Sequence, residues 1–180
     1  MEKNLGLTDY AVPSYTPTLG ALLNARSAFN GLQKRDAKIL LAAVAKGFQW
    51  SPLPFAIREA EVIRTIVPPQ QLLDNVVLDI SSGSDCTARQ VLEVMPKANI
   101  LHLACHGHQS KVDPLCSGFV MRDELMTMER IMALQLPSAF FAFLSACETA
   151  KADETQPDQA VYLTSAMLHA GFKSLIGTMW

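Results

Sequence analysis

Three short stretches of the chain are apolar almost without interruption: AKILLAAVA (37–45), ANILHLAC (98–105) and AFFAFLSA (139–146). Each is too short for an ordinary helix and lacks the alternation of a strand with one wet face. Such runs suit strands buried on both faces, and that burial implies a sheet covered by helices on each side. Helical patterns fall between them. TPTLGALLNARSAF takes Thr16 as its N-cap and Pro17 in its first turn. FAIREAEVIRTIV (55–67) places Ile57, Ala60, Ile63 and Val67 on one face and is stopped by Pro68-Pro69. TARQVLEVM (87–95), TMERIMAL (127–134) with Thr127 as cap, and DQAVYLTSAMLHA (158–170) closed by Gly171 complete the set. Shorter strands are expected at 10–15, weakened by Pro13, and at 76–80, 117–121 and 173–180. Strands alternating with helices define an α/β class with a mostly parallel central sheet and helices on both faces.

Size and composition agree. The 180 residues, 49% hydrophobic and 18% charged, fit one domain (1–180) with a sizeable core. The net charge is −2 with no basic stripe, which makes nucleic acid and anionic membrane poor partners. The N-terminus has no signal-peptide pattern and no run reaches the ~18–20 apolar residues of a membrane span. A cytoplasmic location is therefore expected. Four cysteines, Cys86, Cys105, Cys116 and Cys147, are expected as free thiols because most of them lie in or beside apolar runs. The methionines at 121, 126, 128 and 132 are expected as core filler.

Two of the buried strands stop at reactive residue types. ILHLACHGH runs into His106-Gly107, and FLSACETA runs into Cys147, 41 positions later. In an open α/β sheet, functional groups gather just past the C-terminal ends of the strands. A thiol attacks as the thiolate, and a neighbouring imidazole can take its proton and return it to a leaving amine. Gly107 gives a substrate carbonyl close access to the backbone, and the N–H groups of Gly107 and Cys147 are candidate oxyanion donors. A histidine about 50 residues before a cysteine nucleophile is one known peptidase spacing. The competing explanation is a buried structural cysteine beside an incidental histidine. A metal site is the next rival, since His102, Cys105, His106 and His108 crowd together. Alternation turns His102 and His106 one way and Cys105 the other, and no second cluster completes a tetrahedral set. No phosphate loop, dinucleotide glycine pattern or serine elbow is present, and no cofactor or metal is expected. Asp153 and Asp158 are candidates for lining a substrate pocket, set against their use in a solvated loop and helix start.

The motifs ILHLACHGH, FLSACETA and SAMLHAGFKSLIGTMW, with SYTPTLGALLNAR, PFAIREAEVI and TARQVLEVMPKANILHLACHG, together resemble the CHAT domain family. These are caspase-like domains often found beside tetratricopeptide repeats. The resemblance covers nearly the whole chain. It implies a caspase/separase-type three-layer α/β fold and a His–Cys dyad cysteine endopeptidase acting on a protein substrate. The family's histidine falls on His106, its following glycine on Gly107 and its nucleophile on Cys147. SACET stands where caspases proper have Q-A-C-x-G, so cleavage after aspartate is not implied. Relative to the family pattern, elements after Trp180 and an upstream repeat region are missing, so a fragment of a longer parent protein is expected. The alternative function is a catalytically silent regulatory or protein-interaction module, with a signalling partner in place of a substrate.

Overall fold

The computed structural model describes residues 6, 10–11, 14, 16–27, 31–73, 77–78, 86–110, 112–146 and 161–177. A sheet of seven strands forms its centre: β1 (Ile39–Ala43), β2 (Val77–Leu78), β3 (Ile100–His108), β4 (Gly118–Val120), β5 (Leu125–Thr127), β6 (Phe141–Ala146) and β7 (Ser174–Gly177). The helices are α1 (Leu19–Ser27), α2 (Pro54–Ile66), α3 (Ala88–Val94), α4 (Met128–Met132) and α5 (Val161–Ala170). The three apolar runs became β1, β3 and β6, side by side at the middle of the sheet. They pair in parallel, Leu41 opposite His102 and His102 opposite Phe143. β2 extends the parallel pairing beyond β1, and β7 beyond β6.

The expected mostly parallel sheet is corrected to a mixed one. β4 pairs antiparallel with the end of β3, and β5 antiparallel with β4. The segment 109–117 between β3 and β4 is shorter than the dozen or so residues of a parallel crossover, so the chain can only turn back on itself. This hairpin also lengthens β3. The apolar run ends at Cys105, but the strand continues through His106, Gly107 and His108 because Val120, Phe119 and Gly118 pair with them. His106 is therefore the start of a strand extension and not the residue after a strand end.

Alternation along the strands sorts the core into two clusters. Leu101, Leu103 and Cys105 face one side with Leu40, Ala42 and Leu144, under Val91 of α3, Ile131 of α4 and Met167 of α5. Met121, Met126 and Met128 fill that side, as expected of them. The other side carries a smaller cluster, Leu41, Ala43 and Ala104 under Ala56 and Ala60 of α2. Ile57 and Ile63 border it, which is the face assigned to α2 from its spacing. Helices thus cover both faces.

Local chemistry sets the helix ends. Thr87 caps α3 in a reciprocal capping box with Gln90, and Thr127 caps α4. For α1 the cap is Thr18 and not Thr16: the Thr18 Oγ1 accepts from Ala21 N at 3.0 Å, three residues into the turn, as an N-cap must. Gly171 ends α5 at φ 128°, where Phe172 N donates to Met167 O. A Cβ there would sit 2.5 Å from Leu136 O, so glycine is required by contact as well as by conformation. The strand expected at 10–15 falls largely outside the described residues, and residues 10, 11 and 14 are not in a strand.

Candidate functional site

The site lies where the parallel sheet gives way to the hairpin. β3 has β6 along one edge as far as the pair Cys105–Ala146. β1 lies along the other edge, leaving it after Val44 N donates to Ala104 O at 2.8 Å. Beyond that point β4 takes the vacated place, tied to the segment after β1 by Phe48 N donating to Met121 O at 3.1 Å. His106 and Gly107 are the next residues of β3. Gly107 is buried in the strand opposite Phe119.

His106 is held from two directions by the segment after β1. Its Nε2 lies 2.8 Å from the carbonyl oxygen of Ser51. A carbonyl can only accept, so Nε2 carries the hydrogen, and in the neutral ring the lone pair is on Nδ1. The Trp50 ring packs against the imidazole with centroids 5.1 Å apart, and against His108 at 5.8 Å. The arrangement therefore leaves Nδ1 as the ring nitrogen free to accept a proton.

Below His106 on the same side of β3, a second polar group braces the strands. His102 is 8% exposed, and its ring stacks on Phe143 of β6 at 5.1 Å and 9°. Its Nε2 lies 3.1 Å from Glu59 Oε1 of α2, an ion-pair distance without hydrogen-bond alignment. Ser145 of β6 donates to Glu59 Oε2 at 2.9 Å. One carboxylate thus joins α2 to both β3 and β6. Burial lowers the His102 pKa below its ordinary value, against the opposing pull of Glu59.

Cys147, the candidate nucleophile, and the pocket candidates Asp153 and Asp158 lie outside the described residues. Cys147 is joined by a peptide bond to Ala146, whose register partner Cys105 is likewise joined to His106. Cys86, Cys105 and Cys116 are not in disulfide bonds. Among the described residues no cluster of metal-ligating side chains is present, and no helix is long and apolar enough to cross a membrane.

Three residues of this region were not singled out from the sequence as part of a site: Trp50, Ser51 and Glu59. Trp50 and Ser51 could have been flagged by position, because they follow the C-terminal end of a buried parallel strand, as His106 was expected to do. Glu59 gave no signal, being one charged residue among several on an amphipathic helix.

A mixed α/β sheet flanked by helices, with a histidine held on the extension of its central strand, is compatible with a caspase-like fold. The model of the CHAT domain family matches residues 6–180, and the chain belongs to that family, which is caspase-like. No curated protein matches the chain significantly.

Proposed function

We propose that the chain is a cysteine endopeptidase domain of caspase-like type, acting on a protein substrate through His106 and Cys147. One observation carries the reading. Cys105 and Ala146 are register partners on adjacent parallel strands, and His106 and Cys147 are the residues that follow each of them. A peptide bond holds successive Cα atoms about 3.8 Å apart, so each of the two residues is one bond removed from a paired position, which supports the reading.

In this mechanism Nδ1 of His106 takes the proton of the Cys147 thiol. The thiolate sulfur bonds to the scissile carbonyl carbon, and the N–H groups of Gly107 and Cys147 receive the negative oxygen. His106 then gives its proton to the departing nitrogen as the C–N bond breaks. Water, deprotonated by the same imidazole, hydrolyses the thioester and restores the thiol. Ser51 and Trp50 hold the imidazole in place throughout. The substrate is a protein, the setting cytoplasmic, and a tetratricopeptide-repeat region in a longer parent is the partner that the family suggests. Asp153 and Asp158 remain the proposed acidic lining for a basic substrate side chain.

The test is cleavage of a complex mixture of unmodified peptides, with new termini counted by mass spectrometry. Wild type should produce new termini, and His106→Ala should slow their appearance about 10²–10⁴-fold, the usual worth of general acid–base catalysis. Equal products from wild type, His106→Ala and Cys147→Ala would refute the peptidase and favour a silent interaction module.

A further inference from the structure

Beyond His106, on the side away from β6, the same face of the sheet opens into a cleft of about 120 Å³ lined by Phe48, Trp50, His108, Val120, Glu124 and Leu125. Val120 is the register partner of His106, and Leu125 is that of Val120, so the floor continues outward directly from the histidine. Phe48 and Trp50 form the wall above it and remain 51% and 38% exposed. Two features hold that wall in place. A Cβ at Gly47 would lie 2.6 Å from Val120 Cγ1, so glycine lets the segment settle onto β4. Gln49, between the two aromatics, sits at φ 58°, a left-handed conformation that is strained for a residue with a Cβ. Such strain persists where the surroundings impose it, often at ligand clamps. The acid at the rim, Glu124, is already paired with Arg130 at 2.7 Å.

Position gives the cleft a role. In thiol attack the order of groups is sulfur, carbonyl carbon, departing nitrogen, imidazole, because the histidine must reach the nitrogen it protonates. β6 and β4 flank β3 on opposite edges, so the cleft lies past His106 from β6, the strand that Cys147 follows in the chain. The geometry points to this cleft as the subsite for the first residue on the departing-amine side of the scissile bond, with a medium apolar side chain such as leucine, methionine or valine as occupant. This assignment rests on the His106–Cys147 peptidase reading. The size fits: an apolar cavity of ~150 Å³ accepts benzene, and this cleft is slightly smaller and open at its mouth. With its acid paired and its walls mainly aromatic and aliphatic, it offers little to a charged side chain.

The test uses the same peptide mixture and reads the residues on both sides of each cleaved bond, for wild type, Leu125→Trp, Phe48→Ala and His106→Ala. Wild type is expected to prefer leucine, methionine or valine over glycine at the first position after the bond by about tenfold or more, the usual discrimination of an apolar pocket. Leu125→Trp fills the floor and should reverse that preference toward glycine and alanine. Phe48→Ala removes an exposed wall, leaves the core intact, and should shift the preference toward phenylalanine and tryptophan. Preferences before the bond should not change in either variant. Cleavage by wild type with no apolar preference, or with a preference that neither variant moves, would overturn the subsite and leave the peptidase standing. Wild-type cleavage no greater than that of His106→Ala would overturn both.

Discussion

The two faces of the central sheet are built from the same strands but do opposite things. On one face Leu101, Leu103 and Leu144 join residues of α3, α4 and α5 in one large apolar cluster. On the other, alternate residues of the same strands are His102, His106, Phe143 and Ser145, and α2 is the helix that packs there. The first face pins β3 and β6 side by side. The second is then free to carry ionisable groups whose spacing is inherited from that packing. Its apolar contacts are few, so its geometry rests on polar ties: Glu59 across two strands, and the Ser51 carbonyl on His106.

Substitutions should break this contrast in a fixed order. Leu103→Ala, at a fully buried position on the packed face, should cost about 2–5 kcal/mol in denaturant melts, through lost burial and the cavity left behind. Phe143→Ala on the other face is only partly buried and should cost about 1–2 kcal/mol, mostly from the stack with His102. If Phe143→Ala proved the more damaging, the assignment of stability to one face would be wrong. Arg89→Ala removes an exposed pair with Glu93 on α3, outside both faces, and should leave the denaturant midpoint essentially unchanged.

A pH titration sharpens the comparison. Burial sets the His102 pKa below the value of about 6.5 that it has in the unfolded chain. Above that value both states hold it neutral and it costs nothing. As the pH falls, the unfolded chain takes up the proton first, so the stability that His102 allows is lost on the way down to the folded pKa. The stability difference between wild type and His102→Gln should therefore shift against wild type as pH drops from 7.5 to 5. Glu59→Gln removes the pull that raises the His102 pKa, so its acid loss should be larger. A wild-type difference that is flat with pH would show that His102 is not desolvated.

The packed face was largely legible in the sequence. β1, β3 and β6 read as buried strands because both of their faces are apolar or nearly so, and a run of that kind has few other uses. The alternation that turns His102 and His106 away from Cys105 was legible for the same reason. The site face was only half legible. His106 stood out because it interrupts an apolar run, but the extension of β3 to His108 did not, since His-Gly-His has little strand preference of its own and is held by pairing with β4. β5 is three residues long and carries no periodicity. The partner of His106 is a backbone carbonyl 55 residues away, and a carbonyl leaves no trace in a sequence. Thr16 reads as the cap where Thr18 is the one, because two threonines two apart offer the same chemistry and only the hydrogen bond to Ala21 separates them.

The central claim is that His106 activates Cys147, and the most direct measurement is alkylation of the chain by iodoacetamide, mapped by peptide mass against pH, in wild type and His106→Ala. Cys147 should react fastest near neutral pH, well ahead of the buried Cys105, and the substitution of His106 should slow it alone. Uniformly slow reaction at Cys147, unchanged in His106→Ala, would contradict the pairing and with it the proposed mechanism.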